Sequence, residues 1–199
     1  MNADDMLAAL THGEDGTLQR LHERLADTAE SDGLLDVAYR TIDSPVGPLL
    51  VATTECGLVR VAYVDSGSED VLTDLAARVS PRILERPASL DNVARELDEY
   101  FSHSRRAFDV PLDLRLASGF RRDVITHLPD IEYGSTATYA DVARLVDNPN
   151  AVRAVGSACA TNPLPVVVPC HRVVRSDGTI GQYVGGDDAK RTLLDLEAA

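Results

Sequence analysis

A cysteine and a histidine stand side by side in the segment PVVVPCHRVVRSDG, which spans residues 165–178. Cys170 follows an apolar run that ends at Pro169, where we expect a buried strand to stop because proline fixes φ and lacks an N–H donor. A free thiol has a pKa of about 8.5, so it needs a base such as His171 to react as a thiolate at neutral pH. Adjacent residues of a strand point to opposite faces, so this pairing requires a turn or a bridging water. The dipeptide alone is equally compatible with an inert buried cysteine beside a structural histidine.

Two short helices joined by a tight turn precede this segment, and together they resemble a helix-turn-helix. The first is YADVARLV, which Thr138 and Asp141 introduce with a variant of the capping box. The second is NAVRAVGSACAT, for which Asn148 is the predicted N-cap with Pro149 at the first helical position.

The second helix consists almost entirely of small residues. Close packing in a core is one interpretation of this composition. The other is a close approach to a shallow surface such as the DNA minor groove, for which Arg153 is the only long cation on the helix. Spacing alone leaves both interpretations open.

The elements before residue 114 predict an α/β domain with a small antiparallel sheet. Three segments read as strands of a meander: LLDVAYRTI, PLLVATT and LVRVAYV. Two further segments read as helices: SGSEDVLTDLAARV, with a serine cap, and SLDNVARELDEYFSHS. The extended link FDVPLDL marks a domain boundary. We therefore expect an N-terminal helical extension over residues 1–35, the α/β domain over 36–113 and a mostly helical domain with the helix-turn-helix over 114–199.

The charge is distributed unevenly between these parts. The 199 residues include 19 Lys and Arg against 32 Asp and Glu, a net charge of −13. Residues 1–114 carry 10 basic and 22 acidic side chains, whereas residues 115–199 carry 9 and 10. Bulk acidity argues against nucleic-acid binding, yet the near-neutral C-terminal part can still present a local basic face.

The cysteine pattern and the hydropathy bear on the compartment. Three scattered cysteines without a CxxC or zinc-ligand spacing predict a reduced, cytoplasmic protein. No apolar run approaches 18 residues and the acidic N-terminus lacks the basic region of a signal peptide, so we expect no membrane association.

The longer string NPLPVVVPCHRVVRSDGTIGQYVGG closely resembles the active-site region of the O6-alkylguanine-DNA alkyltransferases, whose central motif is PCHRV. TYADVAR and NPNAVRAVGSACATNP resemble the family's helix-turn-helix, and the Y-x-GG string with a following lysine continues the match. The resemblance is strong over residues 117–197 and looser over 36–113. It implies transfer of an alkyl group from O6 of guanine, or from O4 of thymine as a second candidate, in duplex DNA to the protein's own cysteine, once.

The resemblance also implies roles for individual residues. Cys170 would be the acceptor, His171 would deprotonate it through a water, Glu197 would orient His171, and Asn162 would hold the turn around the site. Arg172 would fix the segment through a buried ion pair. No metal or organic cofactor is implied, and we expect a monomer.

Substrate recognition is implied for two further sets of residues. Tyr139 and the Tyr183–Val184 segment would donate to the leaving guanine, and the Val173 carbonyl would accept from the guanine amine. The nucleotide would flip out of the duplex, Arg153 would fill its place, and small residues would let the helix enter the minor groove: Ala151, Ala154 and Gly156. Because family members often carry cations where this chain has Asn150 and Ala160, we expect weak and strongly salt-dependent DNA affinity.

Three alternatives compete with a repair alkyltransferase. A non-catalytic damage-binding protein would lack the acceptor cysteine, whereas Cys170 is present. A Cys-His hydrolase would need a separate oxyanion hole and would turn over. A regulator switched by self-methylation would usually carry an additional DNA-binding domain, for which residues 1–35 are too short.

Overall fold

Four strands form the N-terminal sheet of the computed structural model, which describes residues 17–18, 20–64 and 68–199. They are β1 (Val37–Ile42), β2 (Leu49–Thr54), β3 (Gly57–Tyr63) and β4 (Ile83–Glu85), in the order β3-β2-β1-β4. The antiparallel pairing of β1 with β2 and of β2 with β3 confirms the predicted meander. β4 pairs in parallel with β1, so the sheet is mixed rather than purely antiparallel.

Three helices accompany the sheet. Helix α1 includes residues 20–31, and the part of the predicted N-terminal helix before residue 17 lies outside the described residues. Helices α2 (Glu69–Arg78) and α3 (Asp91–Phe101) lie within the two predicted helical segments. The predicted serine cap of α2 is wrong in one respect, because Ser68 stands at the N-cap but makes no side-chain capping bond.

The C-terminal part is mostly helical. It contains α4 (Phe120–His127), the pair α5 (Tyr139–Leu145) and α6 (Val152–Ala160), and α7 (Gly186–Ala198). The short strands β5 (Ala137–Thr138) and β6 (Val173–Val174) pair in parallel. No helix within the described ranges is long and apolar enough to cross a bilayer.

The cap prediction is confirmed for one helix of the pair and wrong for the other. Thr138 accepts a hydrogen bond from the Asp141 backbone N–H, and the Asp141 carboxylate accepts from the Thr138 N–H, which completes the capping box of α5. Asn148 does not cap α6, because its carbonyl closes a turn with the Ala151 N–H and the helix begins only at Val152.

The valine run before the cysteine is not a strand. Residues 164–168 form buried turns in which the Val168 N–H donates to the Leu164 carbonyl, and Val166 has a positive φ of 72°. Prolines at positions 163, 165 and 169 remove three backbone donors from this segment, which disfavours a strand ladder. The cysteine therefore follows a compact turn rather than a strand end.

One core joins the two parts of the chain. Its buried cluster contains residues of the N-terminal strands and helices together with residues of the C-terminal helices. Leu49 and Leu97 represent the first set, and Val155 and Leu193 the second, and all four are fully buried. Side chains of the N-terminal part are thereby packed directly against the segment that carries the cysteine.

Candidate active site

Cys170 begins a short 3₁₀ turn, Cys170–Arg172, that follows Pro169. The turn provides the change of direction that the Cys-His pair requires, because its residues are not constrained to alternate faces as in a strand. The cysteine is 1% exposed. Burial raises the pKa of its thiol to about 11, so the group is neutral at rest.

Asn162 holds this turn together. Its Nδ2 donates to Sγ of Cys170 at 3.1 Å and to the Val168 carbonyl at 2.9 Å, while its Oδ1 accepts from the Leu164 N–H at 2.9 Å. Because all these groups are buried, one amide side chain satisfies several of them and places a donor directly on the sulfur. Asn162 thus contacts the cysteine as well as the turn that precedes it.

Glu197 on α7 binds the two residues that follow the cysteine. Its Oε1 lies 2.9 Å from Nε2 of His171, and Arg172 donates to both of its oxygens at 2.8 and 2.9 Å. Arg172 also donates to the Ile131 carbonyl at 2.6 Å, so it forms the predicted buried ion pair.

The protonation states of this group follow from its contacts. Burial opposes ionisation of Glu197, but hydrogen bonds from His171 and Arg172 outweigh it and hold the pKa at about 2. Burial lowers the pKa of His171, against the pull of Glu197, so the imidazole is neutral. An anionic carboxylate only accepts, so Nε2 of His171 carries the proton and Nδ1 offers a lone pair. This buried Nδ1 has no hydrogen-bond partner among the described residues.

The predicted substrate-binding residues lie around the same turn. Tyr183 is almost fully buried with its ring edge-on to His171 at 6.3 Å, whereas Val184 is exposed. Tyr139 opens α5 and its hydroxyl lies so close to Gly181 that a Cβ there would overlap it. The Val173 carbonyl already accepts a hydrogen bond from the buried Nζ of Lys190 at 2.6 Å.

Two tyrosines of the N-terminal part reach the site, and sequence reasoning missed both. Tyr63 on β3 lies with its hydroxyl 3.1 Å from that of Tyr183, and its ring fills the space where a side chain at Gly185 would stand. Tyr100 on α3 donates to Oε1 of Glu197 at 2.6 Å. Nothing local in the sequence distinguishes them from core aromatics, since only the packing of the two parts brings them here.

Helix α6 presents a surface of small side chains. Arg153 and Ala154 are exposed in its first turn, and Gly156 and the preceding Ala151 are half-buried. Its buried side, represented by Val155, packs into the core. The small residues are therefore divided between the core and the surface. Core packing accounts for the buried face, and the minor-groove interpretation stays a prediction for the exposed face. Within the described ranges, no group of His, Cys, Asp and Glu is arranged to hold a metal ion.

Two family models match the chain, one for each part. Residues 37–114 match the ribonuclease-like domain of 6-O-methylguanine DNA methyltransferase, and residues 119–199 match its DNA-binding domain.

Similar proteins extend this finding. A methylated-DNA–protein-cysteine methyltransferase of Mycolicibacterium paratuberculosis is 39% identical over 161 residues, covering 81% of this chain and 92% of that protein. The crystal structure of Mycobacterium tuberculosis O6-methylguanine methyltransferase shares 37% identity with a TM-score of 0.72, over 81% of this chain and 93% of that one. A structure of the same M. tuberculosis protein in complex with DNA gives a TM-score of 0.71 at 37% identity, over 81% and 92%.

A helix-turn-helix beside a buried cysteine, with a histidine oriented by a carboxylate, defines a DNA-binding protein with cysteine-dependent chemistry. The matches place it more narrowly. The chain belongs to the 6-O-methylguanine DNA methyltransferase family. This confirms the resemblance drawn from the PCHRV motif, and with it the predicted enzyme class, methylated-DNA–protein-cysteine methyltransferase, which serves DNA alkyl repair.

Proposed function

We propose that the chain moves an alkyl group from O6 of guanine in duplex DNA to Sγ of Cys170, once per chain. The observation that supports this most directly is a buried thiol that accepts a hydrogen bond from Asn162, one residue before a histidine held by Glu197. A soft thiolate suits displacement at an alkyl carbon, and the thioether product is stable, so the cysteine is not regenerated. O4-alkylthymine is the second lesion on which the same chemistry can act.

Removal of the thiol proton begins the proposed reaction. The lone pair of His171 Nδ1 takes the proton of Cys170 through one bridging water, and the resulting imidazolium is balanced by Glu197. The Asn162 donor stabilises the thiolate as it forms, because a hydrogen bond to the charged form favours it. The sulfur then forms a bond to the alkyl carbon while the bond from that carbon to O6 breaks.

The departing guanine receives a proton. Over the whole reaction, one proton is therefore transferred from the Cys170 thiol to the guanine. The Tyr139 hydroxyl and the Tyr183–Val184 segment supply the donors for O6 and N1 in this proposal. The Val173 carbonyl accepts from the guanine amine with the lone pair that Lys190 does not occupy.

Burial of the cysteine requires the nucleotide to leave the helix. We assign the minor-groove contact to the exposed face of α6, where Ala151, Ala154 and Gly156 allow close approach. Arg153 in the first turn then occupies the space left in the base stack. Gly185, in the loop before α7, and Gly186, the first residue of α7, let the backbone close over the flipped base.

The proposal extends to the cellular compartment and the oligomeric state of the protein. All three cysteines are free thiols, as a reducing compartment requires, so we propose a cytoplasmic protein. The proposed mechanism assigns no role to a second chain, so we propose a monomer.

The test is the intact mass of the protein before and after incubation with a duplex oligonucleotide that contains one O6-methylguanine. We expect a gain of one methyl group, about 14 Da, which peptide mapping assigns to Cys170 and which stops at one per chain. Cys170→Ala is expected to bind the duplex without gaining mass. Cys159→Ala and Cys56→Ser, which remove the other two thiols, serve as matched controls and retain the full gain.

Other outcomes would assign the protein differently. Methyl uptake by Cys170→Ala would refute the acceptor assignment. Binding of the lesion by the unaltered protein without any mass gain would indicate the damage-binding alternative. The same assay with O4-methylthymine decides whether the second lesion is a substrate.

A further inference from the structure

Tyr100 is a buried tyrosine that the proposed mechanism does not use. It lies on α3 in the N-terminal part of the chain and is fully buried. Its hydroxyl donates to Oε1 of Glu197 at 2.6 Å and lies 3.5 Å from Nε2 of His171. The hydroxyl thus contacts both members of the pair that would activate the cysteine.

The ring of Tyr100 is held on three sides by other aromatic rings. The centroids of Phe101, Phe108 and Tyr133 lie 5.3, 5.2 and 6.2 Å away. Such edge-on and tilted contacts restrict the ring, so its hydroxyl has little freedom to leave Glu197. A buried tyrosine needs a partner for its hydroxyl, and here the partner is the carboxylate of the site.

We propose that Tyr100 is a positioning residue for alkyl transfer, through which the N-terminal domain fixes the carboxylate that orients His171. This inference rests on the proposed function, because it assigns the same site a further member.

The two oxygens of the Glu197 carboxylate have different sets of donors. Oε1 of Glu197 accepts from Tyr100, His171 and Arg172, whereas Oε2 is held chiefly by Arg172. Without the Tyr100 hydroxyl, Oε1 keeps His171 and Arg172 of these three donors. The carboxylate is then fixed by fewer contacts, and the His171 ring loses part of the constraint on the direction in which Nδ1 offers its lone pair.

The same change alters the charge that His171 faces. A hydrogen bond disperses the negative charge of Glu197, so its loss leaves a stronger partner for the imidazolium and raises the pKa of His171. The charged and titratable groups around the imidazole come from α3, from α7, from the loop before α7 and from its own turn: Tyr100, Glu197, Lys190, Tyr183, Arg172 and Cys170. Only the first of these is changed in the test.

The experiment compares Tyr100→Phe with Tyr133→Phe in the full chain. Tyr133 is a matched control, because among the described residues its hydroxyl donates only to the Leu196 carbonyl, at 3.4 Å, and its ring stays against Tyr100. The rate of methyl transfer is measured in a single turnover at saturating lesion duplex over a range of pH, together with duplex affinity and thermal unfolding.

We expect Tyr100→Phe to transfer about tenfold more slowly, the size of effect that one hydrogen bond to a charged group can produce. The acid limb of its pH–rate profile is expected to move to higher pH, with duplex affinity unchanged. Tyr133→Phe is expected to stay within about twofold of the unaltered protein.

Three results would overturn the inference: an unchanged rate in Tyr100→Phe, an equal loss in both variants, or a slower rate with an unmoved pH profile. If Tyr100→Phe does not fold, replacement of Tyr100 by 3,5-difluorotyrosine retains the ring and strengthens the donor. That variant is expected to move the acid limb to lower pH, and no movement would also refute the proposal. An unchanged rate in Tyr100→Phe alongside complete loss in Cys170→Ala would leave the proposed function intact.

Discussion

The resting cysteine is protected by the surroundings that are proposed to activate it. Burial keeps the thiol of Cys170 neutral, and Asn162 supplies a donor that stabilises charge only once the proton has left. The lone pair of His171 Nδ1 is available in the resting tautomer because Glu197 takes the Nε2 proton. The residue arrangement therefore favours reaction with a substrate seated in the pocket over reaction with a reagent in solution.

This protection predicts selective labelling by iodoacetamide at pH 8. Cys56 is exposed and is expected to be alkylated first, whereas the buried Cys170 and Cys159 should react at least about tenfold more slowly. Peptide mass mapping over a time course measures the three rates. A urea-unfolded sample, in which all three should react alike, is the control. Preferential labelling of Cys170 in the folded protein would show that its thiol is open and activated at rest.

At the scale of elements, β3 and the loop before α7 touch across the site. A Cβ at Gly185 would overlap the ring of Tyr63, although the Gly185 backbone itself has an ordinary negative φ. The constraint is therefore steric and does not arise from backbone strain. The loop can keep this position only if the residue that faces the Tyr63 ring has no side chain, as is the case for Gly185.

Gly185→Ala is accordingly expected to displace the loop. Overpacking of this kind costs about 1–3 kcal/mol in the free energy of unfolding, and we expect transfer from free O6-alkylguanine base to slow with it. The double variant Gly185→Ala with Tyr63→Leu restores space and should recover much of both losses. Gly156→Ala, where a Cβ meets nothing closer than 4.0 Å, is the control. If the double variant recovers neither the free energy of unfolding nor the transfer rate, the losses arise from the backbone at Gly185 and not from overlap with Tyr63.

Helix α6 provides a separate prediction, because Arg153 is exposed and its guanidinium makes no hydrogen bond or ion pair with the other described residues. If it fills the space of the flipped nucleotide, Arg153→Ala should slow repair of duplex DNA at least about tenfold, since unstacking costs a few kcal/mol. Reaction with the free base should not change. Arg191→Ala removes the same charge from α7 and serves as control. Equal losses on duplex and free base would remove the flipping role.

The elements differ in how well the sequence predicted them, and the reasons are physical. The meander and α5 with its capping box follow from local periodicity and capping chemistry, which act within a few residues. The prediction of a strand for the valine run was wrong, because three prolines interrupt a segment whose apolar pattern is typical of a strand. β4 was missed because three residues carry no periodicity. Tyr63 and Tyr100 depend on the packing of distant segments, which no local signal reports.

For the molecule as a whole, the two parts of the chain differ in net charge and are linked by hydrogen bonds at the candidate active site. The net charge of −13 resides almost entirely in residues 1–114, so the DNA-binding part is near neutral. Steering towards DNA then depends on few cations, and affinity is expected to be weak. Glu197 links the two parts directly, because it accepts from Tyr100 of the N-terminal part as well as from His171 and Arg172.

This linkage predicts how acid destabilises the fold. The pKa of Glu197 is about 2 in the folded chain against an ordinary 4.5, so its contribution is complete above pH 4.5 and is lost as the pH falls towards 2. By pH 3 the loss should reach about 2 kcal/mol in the free energy of unfolding, measured by urea titration.

Comparison of two glutamine variants isolates that contribution. Glu197→Gln is expected to be less stable at pH 7, because it leaves Arg172 buried without its partner, and to lose less stability between pH 5 and pH 3. Glu132→Gln, at an exposed position, should follow the unaltered protein throughout. Parallel pH profiles for all three proteins would mean that other carboxylates dominate acid unfolding. A flatter profile for Glu197→Gln alone would show that the carboxylate proposed to orient the base also joins the two parts of the fold.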